Sequence, residues 1–300
     1  MKCYKWRISS VRLYLNVFFA FIIFNWPSEA YTLETDDECY NYALKHPEWL
    51  WCDDFESDTP PLASRYFDFD GDEGDMKRIS SESAHGEYSL GAKWQKGEDD
   101  AGHFMRTFGR NPVNSQSYKD EHFEEIFWRY YFKLQDNFQG RPDKFTRAFI
   151  FANPNWAQAM IAHVWIDDTS REVLILDPAS GAQGNELVST KWNDFENLKW
   201  LGVTKGKTKL DDGKWYCLEA HVKLNTAGEL NGIFEFWLDN TLEARSPNID
   251  WIGSWREFGI NTVFFSNYFN AGSPAEQERY FDSLVISRAR IGCIQESSEP

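Results

Sequence analysis

GINTVFFSNYFNAGSPAEQERYFDSLVIS, residues 259–287, is the stretch that decides the fold class of this chain. Apolar residues alternate with polar ones on both sides of an Asn-Ala-Gly-Ser-Pro break. This alternation predicts two β-strands, each with one face on a core. The first strand ends near Asn267 and Tyr268, Asn270 lies in the turn, and the second strand carries Arg279. Polar and aromatic side chains at a strand end suit a binding site, although an ordinary edge hairpin has the same pattern.

Short runs with the composition of β-strands recur from Cys52 onward. Gly, Pro, Asn and Asp separate them, which is typical of a sandwich and not of alternating strands and helices. No internal repeat or low-complexity linker divides the sequence, so we expect one all-β domain. The main predicted strands are 127–134, 145–152, 159–166, 172–176, 215–224, 233–238, 261–269 and 280–287.

The first 30 residues have the composition of a secretory signal peptide. A basic start precedes a mostly apolar run at 13–26, and Ser28-Glu-Ala30 offers the small residues that a signal peptidase reads. The run is short for a membrane span, although an uncleaved anchor is the alternative. We predict a signal peptide at 1–30, a helical or irregular lead-in at 31–51, and a β domain at 52–300. The protein would be secreted or periplasmic.

Four cysteines remain once the signal peptide, with Cys3, is removed. An even number in an exported protein predicts disulfides, and three connectivities are possible. We favour Cys39–Cys52, which would staple the N-terminal segment, and Cys217–Cys293, which would tie the last strand to an inner one. No pair has zinc-finger spacing, which argues against thiolate metal ligation.

The formal net charge of −16 restricts the partners of this chain. Removing the predicted signal peptide, which carries four basic residues and one acidic residue, makes the charge still more negative. Such a chain repels nucleic acid and anionic membranes over most of its surface. We therefore predict no nucleic-acid partner and no membrane partner after signal cleavage. An acidic polysaccharide would need a locally basic groove.

Four segments together resemble the concanavalin A-like β-jelly roll of secreted glycan-active proteins. They are Cys52-Asp-Asp-Phe-Glu56, His85-Gly-Glu-Tyr-Ser-Leu90, Gly232-Ile-Phe-Glu-Phe-Trp-Leu-Asp239 and Arg279-Tyr-Phe-Asp-Ser-Leu-Val-Ile286. The resemblance implies two antiparallel sheets, one of which carries a glycan groove. The predicted fold class is thus an all-β jelly-roll sandwich at 52–300, with a polysaccharide as the expected partner.

Three motifs resemble those of jelly-roll alginate lyases in their order along the chain. They are Arg129-Tyr-Tyr-Phe-Lys133, Gln158-Ala-Met-Ile-Ala-His163 and Tyr268-Phe-Asn-Ala-Gly272. The details depart from the family pattern. Arg-x-Glu-x-Arg is absent, Gln and His are too far apart, Asn270 replaces Lys, and no Tyr lies two residues beyond Gly272.

A lyase of uronate glycans needs a cation at the carboxylate, a base for the C5 proton and an acid for the leaving oxygen. We assign Arg147 and Lys144 to the carboxylate, His163 to the base and Tyr268 to the acid. The alternatives are a core histidine, a packing aromatic and cross-strand ion pairs. Further candidates for substrate binding are Asn267, Asn270, Arg129, Arg279, Trp156 and Asp177.

Calcium is the one cofactor that the resemblance suggests. Jelly rolls often hold a structural calcium between the first and last strands, and Asp54, Glu56 and Asp282 are the candidates by resemblance. The acidic run at 68–75 looks like a calcium loop, but Glu73 stands where an EF-hand needs Gly. No organic cofactor is expected.

The main prediction is a secreted polysaccharide lyase that cleaves a uronate-containing glycan by β-elimination. One alternative is a non-catalytic glycan-binding module with the same groove. The other is a glycoside hydrolase of this fold, with carboxylates drawn from Glu219, Glu235 and Asp239. The acidic composition favours the alternatives, and the basic residues Lys144 and Arg147 favour the lyase.

Overall fold

The computed structural model of the protein describes residues 37–115 and 117–295, so the predicted signal peptide lies outside the described residues. Two one-turn helices, α1 (Tyr42–Lys45) and α2 (Leu62–Arg65), and a 3₁₀ turn (Asp72–Gly74) accompany the strands. In the described part of the chain, no helix is long and apolar enough to cross a membrane.

Strands make up most of the regular structure. In chain order they are β1 (Trp49–Asp53), β2 (Asp68–Asp70), β3 (Met76–Ile79), β4 (Ser89–Trp94), β5 (Asp100–Thr107), β6 (Glu125–Leu134), β7 (Lys144–Phe151), β8 (Gln158–Ile166), β9 (Val173–Ser180), β10 (Ala182–Gln183), β11 (Glu186–Leu187), β12 (Lys199–Trp200), β13 (Thr204–Lys209), β14 (Trp215–Lys223), β15 (Gly232–Leu238), β16 (Thr241–Ile249), β17 (Thr262–Tyr268) and β18 (Gln277–Ser287).

The strands form two large sheets. The first sheet has the order β16-β15-β14-β6-β18-β4-β3, with β1 also paired to β18. The second has the order β12-β9-β8-β7-β17-β5-β2, with β13 also paired to β9. Their strands pair antiparallel throughout, and β10 and β11 form a separate ribbon. The predicted all-β sandwich of two antiparallel sheets is confirmed.

Each of the eight main predicted strands overlaps an observed strand, and most ends agree to within one residue. The lead-in differs more. Its helical part is one turn, α1, and β1 begins at Trp49, three residues before Cys52. The sequence Trp49-Leu-Trp-Cys-Asp53 is buried throughout, so it lacks the polar alternation that reveals a half-buried strand.

Aromatic side chains fill the space between the two sheets. The Tyr130 ring on β6 lies 5.0 Å from the Phe265 ring on β17, and Phe132 lies 5.3 Å from Phe145 on β7. Burying a side chain of this size contributes ~2 kcal/mol. Because Phe145 and Phe265 point inward, the opposite face of the second sheet is left for a site.

Both favoured disulfides are present. Cys39–Cys52 joins the segment before β1 to that strand. Cys217–Cys293 ties β14 to the segment that follows β18, and so holds the C-terminal segment and not the last strand itself. The cross-links therefore fix the segments at Cys39 and at Cys293 to the first sheet.

Candidate functional site

The outer face of the second sheet carries a row of side chains that crosses six strands. In register from β2 through β5, β17, β7 and β8 to β9, the row is Asp68, Met105, Phe264, Arg147, His163 and Asp177. A neighbouring row pairs Tyr268 with Lys144 and Lys144 with Trp165. Charged, histidine and tyrosine side chains from distant parts of the sequence thus lie on one face of the sheet.

A cavity of about 310 Å³ opens on this face, and we call it the cation cavity. Its lining combines charged, amide and aromatic side chains. They are Asp68, Asp100, His103, Lys144, Arg147, Asn193, Trp156, Trp192, Phe264 and Tyr268, together with Met105 and Ser266.

A β-bulge brings Lys144 and Arg147 into the same cavity. In a regular strand, residues three apart point to opposite faces. The register of β7 against β8 shifts between Lys144, which pairs with Trp165, and Thr146, which pairs with Val164. One extra residue in β7 therefore restores a common face for the two cations.

Arg147 is a buried cation, with 5% of its surface exposed. Its guanidinium carbon lies 4.4 Å from the Trp192 ring centroid and 4.8 Å from that of Phe264, and Nη1 donates to Asn193 Oδ1 at 2.9 Å. Burial lowers the pKa of Arg147 to about 9. Among the described residues it has no carboxylate partner, so the cavity offers a positive charge to an anionic ligand.

Lys144 and Tyr268 form a second unit in the cation cavity. The Lys144 ammonium lies 3.9 Å from the centroid of the Tyr268 ring. Burial, and then the nearby Arg147 charge, lowers the pKa of Lys144. Within the described ranges, Lys144 also lacks an ion pair with a carboxylate. A lysine in this setting loses its proton more readily than one in water.

His103 on β5 lies in the cation cavity but was missed in the sequence. Its Nε2 is 3.3 Å from Asp68 Oδ2. Burial lowers the pKa of His103, but the hydrogen bond with Asp68 and the charges of Asp68, Asp100 and Asp70 together outweigh that effect, so the net shift is upward. The residues next to His103 in the sequence do not indicate a site, because its partner Asp68 lies 35 residues away. Asp68 lies on β2, which has only three residues and is too short to be recognised as a strand from its pattern.

His163 lies in the row of side chains on the outer face of the second sheet, but it does not line the cation cavity. It is fully buried, and its Nδ1 donates to the Asp177 carbonyl oxygen at 2.9 Å. Its ring packs 4.0 Å from Trp165 and 5.8 Å from Trp200. Burial, followed by the Arg147 charge, holds its pKa well below the usual range. Among the predicted catalytic residues, the structure thus brings together Arg147, Lys144 and Tyr268, but covers His163.

Three of the predicted substrate-binding residues lie on or near this face. Trp156 lines the cation cavity. Asn270 lines a neighbouring cavity, and its backbone N–H donates to Asp143 Oδ2. Asp177 is half-buried beside His163 on β9, and burial raises its pKa to about 6.

The other three predicted substrate-binding residues are elsewhere, which corrects their placement. Arg129, on β6 of the first sheet, is buried in an ion pair with Glu38. Arg279 lies between the sheets, where it donates to the carbonyl oxygens of Lys144 and Ser266. Asn267 also points inward and donates to the Gly102 carbonyl. Side chains alternate between the two faces along β17, so Asn267 faces the core because its neighbour Tyr268 faces the cation cavity.

The predicted calcium ligands accept hydrogen bonds from backbone N–H groups in the described part of the chain. Asp54 accepts from the backbone N–H of Cys39 and Glu56, while Glu56 accepts from those of Glu87 and Tyr88. Asp282 accepts from Ala84, His85 and Ser283. These carboxylates hold loops, and their oxygens do not converge. Among described residues, the group with ligand atoms within 4.8 Å of one another is Asp72, Asp75 and Glu98.

The carboxylates considered for a hydrolase lie on the first sheet, away from the cation cavity. Glu219 accepts from Arg290 and the backbone of Ile291 and Gly292. Glu235 bonds His221 and Arg245, and Asp239 bonds Lys214. Each is engaged in structural contacts, so they form no carboxylate pair facing a groove.

No protein-family model and no curated protein matches the chain. Solved structures do match its fold. A PL-14 alginate lyase from Aplysia kurodai has a TM-score of 0.57 at 13% identity, over 80% of this chain and 99% of that one. The endo-β-1,4-glucuronan lyase from Trichoderma reesei has a TM-score of 0.51 at 11% identity, over 75% and 91%.

A third match is the alginate lyase vAL-1 from Chlorella virus, with a TM-score of 0.51 at 14% identity, over 71% of this chain and 90% of that one. At these identities the likeness concerns the fold. The chain therefore has the polysaccharide-lyase-like β-jelly-roll fold that the resemblance in its sequence implied.

Proposed function

We propose that this protein is a secreted polysaccharide lyase that cleaves a uronate-containing glycan by β-elimination. The observation that carries the proposal is the pair of cations in the cation cavity. Arg147 and Lys144 line it without a carboxylate partner among the described residues, in a chain whose formal net charge is −16. An anionic sugar is the ligand that such a pair favours.

The proposed chemistry has three parts. Arg147, held by Asn193, binds the uronate carboxylate and stabilises the negative charge that develops on it as the C5 proton leaves. The C5–H electron pair forms the C4=C5 double bond, and the C4–O bond breaks. Tyr268 then donates its phenolic proton to the leaving oxygen.

Lys144 is the proposed base, in place of His163. A base has to reach the C5 proton, and fully buried His163 does not line the cation cavity. Lys144 does line it, and its lowered pKa increases the neutral fraction that accepts a proton. The proton that Lys144 takes and the proton that Tyr268 loses are exchanged with solvent before the next cycle.

Secretion is supported by two features. The chain begins with the composition of a signal peptide, and its two disulfides suit an oxidising compartment. The fold neighbours include lyases of alginate and glucuronan, which makes a polysaccharide the favoured substrate class.

The test is the ultraviolet absorbance of the unsaturated uronate product on a panel of uronate polymers. We expect absorbance to grow with the wild-type protein and to fall by ~10³-fold or more in Lys144→Gln and Tyr268→Phe. Lys45→Gln and Tyr40→Phe are matched controls, because both residues lie near α1 and outside the cation cavity. Controls with wild-type rates are expected.

Two results would contradict this function. Binding of the polymers without any product would favour a glycan-binding module. New reducing ends without unsaturated product would indicate hydrolysis.

A further inference from the structure

A second cavity of about 240 Å³ adjoins the cation cavity, and we call it the aromatic cavity. Lys144 lines both. The other lining residues are Asp143, Trp165, Asp168, Phe195, Trp200 and Asn270. Because the two cavities share Lys144, a polymer with one sugar in the cation cavity has a neighbouring sugar within reach of the aromatic one.

Aromatic rings form the wall of this second cavity. Phe195 and Trp200 are 44% and 43% exposed, which is unusual for rings of their size. Their centroids are 6.1 Å apart with an interplanar angle of 22°. Trp165 lies 6.2 Å from Trp200, and buried His163 packs behind both indoles. Aligned exposed rings provide a flat apolar surface that suits the C–H face of a sugar.

The aromatic cavity has a more negative charge balance than the cation cavity, because Asp143 and Asp168 line it beside Lys144 and Arg147 does not. The nearby cations Arg171 and Lys205 are paired with Asp143 and Asp167. Exposed Asp168 has no cation partner among the described residues, and it contributes to the raised pKa of Asp177. Beyond Lys144, no cationic side chain lines this cavity in the described chain.

We infer that the aromatic cavity is a subsite for an uncharged sugar, so that the preferred substrate has isolated uronates flanked by neutral residues. This inference rests on the proposed lyase function and narrows its substrate class. A polymer with a carboxylate on every sugar would bring a second anion toward Asp168. A neutral neighbour instead stacks on Phe195 and Trp200 without that repulsion.

Carboxyl reduction of one polymer tests the inference without changing its linkage. Glucuronan and alginate are prepared with a rising fraction of uronates reduced to neutral hexoses. The rate of unsaturated product per remaining uronate is expected to rise about fivefold at partial reduction, as ~1 kcal/mol of like-charge repulsion is removed. It falls again when the carboxylates at the cation cavity become scarce.

Variants of the aromatic cavity identify the cause. Asp168→Lys should raise kcat/KM on the unreduced polymer and remove the gain from partial reduction. Trp200→Ala should lower kcat/KM on the partly reduced polymer about tenfold, through loss of ring stacking. Tyr40→Ala is the control, since it also truncates an exposed ring, 57% exposed, outside both cavities.

The failures are distinguishable. A rate per uronate that falls steadily from the unreduced polymer overturns the neutral subsite and leaves the lyase function standing. The same conclusion follows if Asp168→Lys leaves the profile unchanged. No unsaturated product on any sample overturns the lyase function, and the subsite with it.

Discussion

At the scale of single residues, the function rests on where charge is buried. Arg147 keeps a cation in an aromatic pocket with one amide oxygen as its hydrogen-bond acceptor, and Lys144 lies over the Tyr268 ring. His163, by contrast, is neutral because burial and the Arg147 charge both lower its pKa. Its ring supports Trp165 and Trp200. His163, a histidine in the largely apolar strand β8, is thus a packing residue. Sequence alternation does not distinguish a packing histidine from a catalytic one.

The pH dependence of kcat/KM is predicted at this scale. Lys144 acts as a base only when neutral, so activity increases as pH rises toward its lowered pKa. Arg147 acts only as a cation, and its pKa is about 9, so activity falls above that value. We expect a bell-shaped profile with an alkaline optimum. A maximum on the acid side, with activity declining through neutral pH, would contradict these roles.

At the scale of secondary-structure elements, most strands were predictable, whereas only part of the candidate site was. Alternation at 259–287 predicted β17 and β18, and strand-like composition predicted the other main strands. The β7 bulge was not predictable, because uniform alternation would separate Lys144 from Arg147. The meeting of His103 with Asp68 depends on the pairing of β2 with β5, which involves contacts distant in sequence. Arg279 and Asn267 face the core, where each donates a hydrogen bond to a backbone carbonyl oxygen. The sequence does not show that these polar side chains have such acceptors between the sheets.

Asp282 on β18 provides the prediction at this scale. Its carboxylate accepts three backbone N–H bonds and so holds the loop at Ala84 and His85. We expect Asp282→Ala to reduce the free energy of unfolding by about 2–3 kcal/mol, because buried donors lose their acceptor. Urea denaturation measures this. Glu276→Ala, which removes the surface ion pair with Lys93, is the control and should have little effect.

The pH dependence of that destabilisation is also fixed in sign. Burial raises the folded-state pKa of Asp282 from 3.8 to about 7. The folded state therefore favours the protonated carboxyl, and the stability it contributes decreases as pH rises from about 3.8 to about 7 and is constant above that. The loss caused by Asp282→Ala should be larger at about pH 5 than at about pH 8. An equal or opposite difference would contradict the buried, loop-holding role.

At the scale of the whole molecule, two sheets and two cross-links define the scaffold. Cys217–Cys293 closes a loop with a sequence separation of 76, and Cys39–Cys52 one of 13. In the chain-entropy model, the longer loop stabilises more. We expect the double Ser variant of Cys217 and Cys293 to lose about 4 kcal/mol and that of Cys39 and Cys52 about 3 kcal/mol. A reversed order in denaturant unfolding would contradict the model.

The net negative charge of the molecule makes the cation cavity an exception on its surface. A net charge of −16 disfavours polyanions over most of the surface, so in the proposed function the binding of a uronate depends on the Arg147 cation, with Lys144 adding to it only while protonated. In the proposed substrate complex, the neighbouring aromatic cavity receives the next sugar. The fold neighbours at 11–14% identity establish the scaffold, and the chemistry is argued from this chain's own residues.

The mass of the product ends tests the elimination most directly. Wild-type protein is incubated with a uronate polymer, and the oligosaccharides are analysed by mass spectrometry. Elimination adds no water, so we predict non-reducing ends that are one water lighter than hydrolytic ends, and their absence with Lys144→Gln and Tyr268→Phe. Product ends that carry the added water, or unsaturated ends that persist in both variants, would contradict β-elimination at the cation cavity.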